Sequence, residues 1–254
     1  MGLRRFFKNY FYRKKYQIKS LKIDNLRKKS IFITGTNSGI GLALVKKCIS
    51  LDNKVYATYR KNCDQLKKIE SKKLILIKCD NSNFIEIDNL KNFIKNKSIN
   101  IIINNVGVWG QENQDNLENI NYQNFINTAV TNAISVTKIV NVILQNSKKK
   151  SLECILNIGS GGGSISKNIS GNAYVYRASK AMLNSLTKNM SIDLYNRHKI
   201  ISFVVDPGNV KTSMNKNGIL KSDDCAKSLI KILDQYSVKD NGKFFDLLKN
   251  EIPW

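Results

Sequence analysis

Histidine is almost absent from this sequence, since His198 is the only one among 254 residues. Ser-His-Asp and Cys-His catalysis both rely on a histidine base beside the nucleophile, so a single histidine argues against either mechanism. A metal centre is not predicted, because the sequence offers one histidine and no cluster with ligand spacing. Any acid–base chemistry must therefore use a different residue type.

Paired cysteine motifs are also missing. The five cysteines are scattered, none stands in CxxC spacing, and several lie within apolar runs. Their odd number and these positions indicate small buried hydrophobic side chains in a reducing cytosol rather than disulfides. They stand at positions 48, 63, 79, 154 and 225.

Long apolar runs are absent as well. None approaches the roughly 18 residues that a membrane-spanning helix needs. The N-terminus lacks the apolar stretch and small-residue cleavage site of a secretory signal. We therefore expect a cytoplasmic protein, with attachment to a membrane surface as an alternative that depends on residues 1–29.

Acidic residues are scarce, with 19 Asp and Glu against 42 Lys and Arg, so the formal net charge is +23. A charge of this size favours anionic partners such as phosphate ligands, nucleic acid or anionic lipid. Lys, Asn and Ile are all abundant, and their A/T-rich codons offer a purely compositional explanation. A nucleic-acid partner would rest on charge alone and is not predicted.

No internal repeat and no Pro/Gly-rich linker divides the chain after residue 30. Short apolar runs such as "SIFITG" and "KLILIKCD" alternate there with helical patterns at about 39–51, 117–147, 174–197 and 222–236. This alternation indicates parallel strands that are buried on both faces. The predicted fold is α/β, a single-domain Rossmann-type doubly wound parallel sheet sandwiched by helices.

Residues 1–29 are predicted to form a basic, aromatic N-terminal extension to a domain that spans 30–254. The first 30 residues carry eleven Lys and Arg against one Asp. On a helix, an apolar face interrupted by Lys14 would suit an anionic membrane surface. A docked or frayed solvated extension, and binding to nucleic acid or another partner, are the alternatives. The face would comprise Leu3, Phe7, Tyr10, Ile18 and Leu21.

A glycine-rich turn, "TGTNSGIG", lies between the first predicted strand and the first predicted helix. Residues without a Cβ let a strand turn sharply and let a pyrophosphate approach the backbone, and the helix N-terminus offers free N–H groups. The spacing is GxxxGxG rather than GxGxxG, but its position indicates a dinucleotide site. The candidate cofactor-binding residues in this turn are Gly35, Thr36, Asn37, Ser38, Gly39, Ile40 and Gly41.

The end of the second predicted strand bears on which dinucleotide binds. NAD-binding folds usually place an acid there for the ribose 2′-hydroxyl, whereas a basic residue accommodates the 2′-phosphate of NADP. The sequence "YATYRK" has Arg60 and Lys61 and no acid. NADP(H) is therefore the predicted cofactor, with NAD(H) still open and an ordinary surface cation as the alternative for Arg60.

Tyr176 and Lys180 stand four residues apart in "AYVYRASKAMLN" and would share one face of a helix. A phenol has a pKa near 10, too high for facile proton exchange at neutral pH. A cation within about 4–6 Å favours the phenolate and lowers that pKa. Tyr176 is thereby predicted to act as a general acid or base without histidine.

Other polar residues stand where predicted strands end or on adjoining helices. Ser160 ends strand five, Asn104 to Gly107 end strand four, and "DPGNVKT" ends strand six. Asn132 lies in the long predicted helix. Because open α/β sheets bind ligands at the carboxyl ends of their strands, we expect these residues to converge with the tyrosine–lysine pair.

These motifs, in this order, resemble the short-chain dehydrogenase/reductase family over about residues 30–254. The long gap between Ser160 and Tyr176 and the C-terminal "GKFFDLLKNEIPW" look like the C-factor (C-signal-like) and sniffer-like carbonyl reductase branch. The resemblance implies an NAD(P)-dependent oxidoreductase that interconverts a small-molecule carbonyl and an alcohol by hydride transfer. A C-signal-like signalling or membrane-surface protein that retains the nucleotide-binding fold is the alternative.

The resemblance also implies a role for each catalytic residue. Tyr176 would protonate the substrate carbonyl oxygen, and Ser160 would hydrogen-bond that oxygen. Lys180 would lower the tyrosine pKa and hold the nicotinamide ribose. Asn132 would hold a water that links Lys180 to solvent.

Further cofactor contacts and an assembly follow from the same resemblance. Relatives pair through helices that correspond to 117–147 and 174–197, so a homodimer or tetramer is expected. The polar stretch after Thr212 argues against a bulky steroid-like substrate, and Asp206 is a less usual residue before Pro207. The implied cofactor-binding residues beyond the glycine turn are Arg60, Asp80, Asn81, Asn105, Val106, Gly107, Tyr176, Lys180, Pro207, Gly208, Val210 and Thr212.

Overall fold

The structure is a computed structural model that describes residues 9, 12, 14–16, 23–110 and 116–254. The apolar face predicted for the extension lies outside the described residues; its members are Leu3, Phe7, Tyr10, Ile18 and Leu21. No helix in the described part of the chain combines the length and apolarity that crossing a bilayer requires.

Seven parallel strands form one sheet in the order β3-β2-β1-β4-β5-β6-β7. The order reverses between β1 and β4, which is the doubly wound arrangement, so the predicted fold class is confirmed. The last predicted strand, "GKFFDLL", pairs with β6 through only two residues. The strands are β1 Ser30–Ile33, β2 Lys54–Tyr59, β3 Leu74–Lys78, β4 Ile101–Asn104, β5 Cys154–Ile158, β6 Ile201–Val205 and β7 Phe244–Phe245.

Helices follow most of the strands and cover both faces of the sheet. α1 and α8 pack on one face, while α3, α6 and α7 pack on the other. All five cysteines are buried and unpaired within this sandwich, in line with their interpretation as small apolar side chains. The helices are α1 Gly39–Ser50, α2 Asp64–Lys67, α3 Phe84–Asp88, α4 Lys91–Ile94, α5 Tyr122–Ala129, α6 Ser135–Asn146, α7 Tyr174–His198 and α8 Ser222–Asp234.

Alternating side chains of the central strands supply the two halves of the core. In β1, Ile31 and Ile33 belong to the cluster on one face, and Phe32 between them belongs to the cluster on the other. All three are fully buried. Because successive side chains of a strand point to opposite faces, a continuous apolar run satisfies a sheet that is covered on both sides.

The long helix predicted at 117–147 is shorter than expected and changes form along its length. The α-helix begins at Tyr122, because the side chain of Asn121 accepts a hydrogen bond from Asn124 N at 2.9 Å and caps the first turn. A separate 3₁₀ turn occupies Leu117–Asn119. Between α5 and α6, residues Val130–Ile134 form a π-helical turn.

The chain just before β1 is attached to the end of α8. The buried Asp234 carboxylate accepts hydrogen bonds from Asp24 N at 3.1 Å, Asn25 N at 2.7 Å and Leu26 N at 2.8 Å. Ile23 and Leu26 are buried in the core. The predicted boundary at residue 30 stays a prediction, but the described residues on its N-terminal side already pack against the domain.

Candidate active site

A cavity of about 430 Å³ opens at the carboxyl ends of the strands, where the strand order reverses. Residues that follow β1, β2, β3, β4, β5 and β6 all contribute to its wall. The predicted site residues that line it are Gly35, Asn37, Ser38, Gly39, Ile40, Arg60, Asp80, Asn81, Asn105, Val106, Gly107, Tyr176, Lys180, Pro207 and Thr212.

The glycine turn is packed closely against the end of β4. A Cβ at Gly41 would lie 2.2 Å from the carbonyl oxygen of Gly35, so only glycine fits there without a shift of the backbone. Asn105 Nδ2 donates to the carbonyls of Thr34 at 3.0 Å and Gly35 at 2.9 Å. These contacts fix the turn at the mouth of the cavity.

The N-terminus of α1 borders the cavity through Ser38, Gly39 and Ile40. Ser38 is the N-cap residue in extended conformation, and its side chain makes no capping hydrogen bond. The first N–H groups of an α-helix have no partner within the helix and carry a partial positive charge. This helix end therefore suits a phosphate group.

Basic residues follow β2 at the far side of the same turn. Arg60 and Lys61 line the cavity. Arg60 N donates to the side-chain oxygen of Asn37 at 3.3 Å, and Asn37 Nδ2 donates to the carbonyl of Asn62. The loop after β2 is thus tied to the glycine turn, which brings two cations beside the helix N-terminus.

The loop after β3 contributes a carboxylate and an amide. Asp80 Oδ1 accepts hydrogen bonds from the backbone N and the hydroxyl of Ser82, at 2.9 and 2.8 Å. Asn81 is buried, and among the described residues its side-chain oxygen has no partner. A buried acceptor without a partner costs free energy, so this oxygen fits a donor on a bound ligand.

Tyr176 lies in the first turn of α7, where Ser160 is close to it. Burial raises the pKa of the Tyr176 hydroxyl above its ordinary value, and the neighbouring Ser160 hydroxyl lowers that pKa in part. Trp109 stacks on the tyrosine ring with centroids 4.3 Å apart. Gly162 N donates to Ser160 Oγ at 3.1 Å, which fixes the serine hydroxyl.

Lys180 lies one turn further along α7 and is only 3% exposed. Its Nζ donates to the carbonyl of Ile158 at 2.9 Å and lies 5.9 Å from the centroid of the Tyr176 ring. Burial lowers the pKa of the Lys180 ammonium to about 8, against an upward effect of Asp206. The expected lowering of the tyrosine pKa by this lysine is not seen, because the ammonium is bound to Ile158 and burial dominates at Tyr176.

Asn132 occupies the π-helical turn and holds the segment after β4. Its Oδ1 accepts from Val108 N at 2.8 Å, while Nδ2 donates to Val108 O and Ser179 Oγ, both at 2.9 Å. Both side-chain N–H donors are therefore in use, and the water predicted at Asn132 stays a prediction. Its observed action is to hold the Val108 segment against α7.

Six predicted site residues lie outside the cavity wall. Thr36 is buried and donates to the carbonyl of Thr58 at 2.9 Å. Val210 is buried in the core and pairs with Leu220, because the chain after Pro207 turns inward. Ser160 lies beside Tyr176, which does line the cavity. The six are Thr36, Gly41, Asn132, Ser160, Gly208 and Val210.

Trp109 and Met214 had no signal in the sequence. Trp109 lies beyond the "NNVG" segment. Its stacking on Tyr176 depends on the neighbouring Val108, which Asn132 holds by a hydrogen bond. Met214 lines the cavity from the polar stretch after Thr212. No local pattern marks such residues, because long-range packing decides which loop side chains turn inward.

Three comparisons with known proteins relate the chain to oxidoreductases. A family model described as short chain dehydrogenase matches residues 29–222. The C-signal protein of Myxococcus xanthus is 29% identical over 157 residues, which is 61% of this chain and 93% of that protein. A 3-oxoacyl-acyl-carrier-protein reductase of Buchnera aphidicola is 28% identical over 203 residues, covering 76% of this chain and 78% of the reductase.

Solved structures show the same architecture. The carbonyl reductase Sniffer of D. melanogaster superposes with a TM-score of 0.81 and 27% identity, covering 89% of this chain and 99% of that one. A short-chain dehydrogenase/reductase from Burkholderia multivorans, solved with bound NADP, has a TM-score of 0.79 and 20% identity over 89% of this chain and its own full length. The second likeness bears on the fold alone.

Proposed function

The chain belongs to the short-chain dehydrogenase family and is an NAD(P)-dependent oxidoreductase, and from that premise we propose that Tyr176 is its general acid and base. The resemblance to the C-signal and sniffer-like branch is confirmed. The observation that carries the proposal is the placement of Tyr176 and the buried Lys180 in the wall of one cavity, with Ser160 beside the tyrosine.

In the direction of reduction, the Tyr176 O–H gives its proton to the substrate oxygen as the carbonyl becomes an alcohol. A bound nicotinamide supplies the hydride. Ser160 Oγ accepts from Gly162 N, so its own O–H is available to hydrogen-bond the substrate oxygen. This donor stabilises the negative charge that develops on that oxygen.

Lys180 holds a positive charge next to the tyrosine. One of its three N–H groups is used by the Ile158 carbonyl, and the other two suit hydroxyl groups of a bound ribose. Asn132 positions this pair by holding Val108 against α7.

The site supports NADP(H) as the cofactor better than NAD(H). Arg60 and Lys61 line the cavity beside the uncapped N-terminus of α1, and the loop after β2 carries no acid at this point. A 2′-phosphate adds charge that a basic loop binds favourably, whereas a ribose 2′-hydroxyl gains from an acid that this chain lacks. The preference follows from these two cations.

The catalytic proposal is tested by Tyr176→Phe, which removes the hydroxyl and keeps the ring. We expect carbonyl reduction with NADPH, measured on benzaldehyde and diacetyl, to fall by about 10²–10⁴-fold. NADPH binding, followed by fluorescence, should persist. Tyr236→Phe, which removes a hydroxyl bound to Glu153 just before β5, is the matched control and should keep wild-type rates. Equal rates in all three proteins would contradict the assignment.

The cofactor preference is tested by Arg60→Ala. We expect the dissociation constant of NADPH to rise about tenfold, because a charge-assisted contact is lost, while that of NADH changes little. Arg197→Ala removes an exposed arginine that pairs with Asp193 in the last turns of α7 and serves as the charge-matched control. Tighter binding of NADH than NADPH by the wild type would refute the role of Arg60.

The assembly and surface partners remain predictions. A homodimer or tetramer is expected from the family, and contact of residues 1–29 with an anionic membrane stays a prediction from the sequence. The family typically acts on small molecules, and the cavity beside Tyr176 suits such a substrate.

A further inference from the structure

Two tyrosines that precede the family-matched region pack beside the loop that follows β6. Asn209 N donates to the Tyr12 hydroxyl at 3.0 Å. The Tyr12 ring lies 4.9 Å from the Tyr16 ring, and Tyr16 is 8% exposed within the core cluster that includes Val210. The contact therefore joins the N-terminal segment to the loop at Pro207–Asn209.

The fit depends on Gly208. This residue has φ +71°, in the left-handed region, and a Cβ there would lie 2.6 Å from the Tyr12 hydroxyl oxygen. The hydroxyl thus occupies the space that a side chain at 208 would take. This close approach of the Tyr12 hydroxyl to the backbone is specific, because it needs a glycine at position 208 and an oxygen that accepts the hydrogen bond.

The same loop borders the cofactor cavity on its other side. Pro207 lines the cavity, whereas Tyr12 does not, so the loop lies between them. Asp206 accepts from Gly208 N at 3.0 Å. Its Oδ2 lies 3.2 Å from the position of a Cβ built on Gly161, next to the catalytic Ser160. A shift of the loop would therefore move both the cavity wall and the serine turn.

The segment that carries Tyr12 is held near this loop by a second attachment. Asp234 binds the backbone N–H groups of residues 24–26, and Leu26 is buried. This attachment begins at Asp24, twelve residues after Tyr12, and raises the effective concentration of Tyr12 at the loop.

We propose that Tyr12 is a positioning residue for the cofactor: its hydroxyl holds the Pro207–Asn209 loop in the conformation that receives the dinucleotide. This inference rests on the proposed function. It gives the N-terminal segment a part in cofactor binding although the matched family region begins at residue 29. By linkage, a bound cofactor strengthens the contact between Tyr12 and the loop as much as that contact strengthens cofactor binding.

Tyr12→Phe tests the inference, because it keeps the ring and its packing and removes the accepting oxygen. The first measurement is amide hydrogen exchange at Asn209 in protein without cofactor, which should become faster. The second is the dissociation constant of NADPH, which should rise about 2- to 10-fold, the effect of one hydrogen bond. The KM for NADPH should rise with kcat unchanged.

Tyr236→Phe is the matched control, since it also removes one hydroxyl with a single hydrogen bond, beside Glu153 at the opposite edge of the sheet. It should leave the exchange of Asn209 and the NADPH affinity at their wild-type values. A melting temperature of Tyr12→Phe close to that of the wild type would show that the effect is local.

Unchanged exchange at Asn209, or unchanged NADPH affinity, in Tyr12→Phe would overturn the inference. An equal loss of affinity in Tyr236→Phe would overturn it too, because the effect would then be global. Failure of the wild type to bind NADPH or NADH would refute the proposed function. The exchange measurement uses no cofactor and would still decide whether Tyr12 holds the loop.

Discussion

Lys180 shows how burial sets the chemistry of single residues in this site. Its ammonium is enclosed and donates to Ile158 O, and burial lowers the pKa of the group to about 8. The same burial raises the pKa of the Tyr176 hydroxyl. In the protein without cofactor, the proton affinities of the two groups are thus further apart than those of free lysine and tyrosine, although the Ser160 hydroxyl lowers the tyrosine pKa in part.

The Lys180 shift predicts a pH dependence of stability. Between about pH 8 and pH 10.5 the unfolded chain holds the Lys180 proton and the folded chain has released it, so this group makes stability rise with pH. Below that window both states are charged, and the contribution does not vary. Relative to Lys180→Met, the wild-type free energy of unfolding should rise by on the order of 3 kcal/mol across the window.

Urea unfolding of both proteins at a series of pH values measures this difference in the free energy of unfolding. The contributions of the other titrating groups are the same in both proteins and cancel in the difference. Parallel curves for wild type and Lys180→Met across the whole window would contradict the buried, shifted lysine. Activity should be lost in Lys180→Met at every pH, because the N–H groups proposed to hold the ribose of the cofactor are gone.

At the scale of elements, the start of α1 and the π-helical turn determine where residues of the site lie. The turn at Gly35–Gly41 joins β1 to α1 and leaves the helix N-terminus uncapped beside Arg60. The turn at Val130–Ile134 carries Asn132 at the point where it can hold Val108. A regular α-helix through these residues would change the rotation of Asn132 about the helix axis. Its hydrogen bonds with Val108 would then be displaced.

Gly41→Ala tests the packing of the first of these turns. In an ordinary helix the change stabilises by roughly 0.5–1 kcal/mol. Here the new Cβ would meet the Gly35 carbonyl oxygen at 2.2 Å. We therefore expect the opposite sign, a loss of about 1–3 kcal/mol in the free energy of unfolding, together with weaker NADPH binding.

Urea unfolding and NADPH titration of Gly41→Ala are the measurements. Lys46→Ala on the exposed side of the same helix is the control and should change stability little. A stabilised Gly41→Ala protein with unchanged NADPH affinity would show that the turn is not packed as described.

At the scale of the whole molecule, the sheet brings together residues that lie far apart in the chain. The glycine turn, Arg60 and Tyr176 meet in one cavity because parallel strands end at the same edge. The net charge of +23 favours an anionic ligand such as NADP over NAD, which carries less negative charge. The comparisons favour the oxidoreductase over the alternative of a signalling protein that only retains the fold.

Binding of the cofactor should therefore stabilise the whole domain. At a concentration one hundred times its dissociation constant, NADPH should contribute about 2.7 kcal/mol. For a chain of this size, that raises the melting temperature by about 5–10 °C. Differential scanning fluorimetry with NADPH and NADH at equal concentrations measures it, and a larger shift with NADH would contradict the cofactor preference.

The sequence by itself determined the fold class, the glycine turn and the Tyr176–Lys180 pair, because these depend on local periodicity and spacing. A buried parallel strand must be apolar throughout, and residues four apart on a helix must share a face. The same rules extended the long helix too far toward its N-terminus, since the caps at Asn116 and Asn121 depend on side-chain hydrogen bonds.

Only the tertiary structure decided the stack of Trp109 on Tyr176, the inward turn of Val210 and the contact of Tyr12 with Asn209. It also decided the pKa directions of Tyr176 and Lys180, because burial is the largest cause of both shifts. Each of these depends on atoms from segments that are distant in sequence. Packing free energy and desolvation are sums over such neighbours, and local spacing carries no record of them.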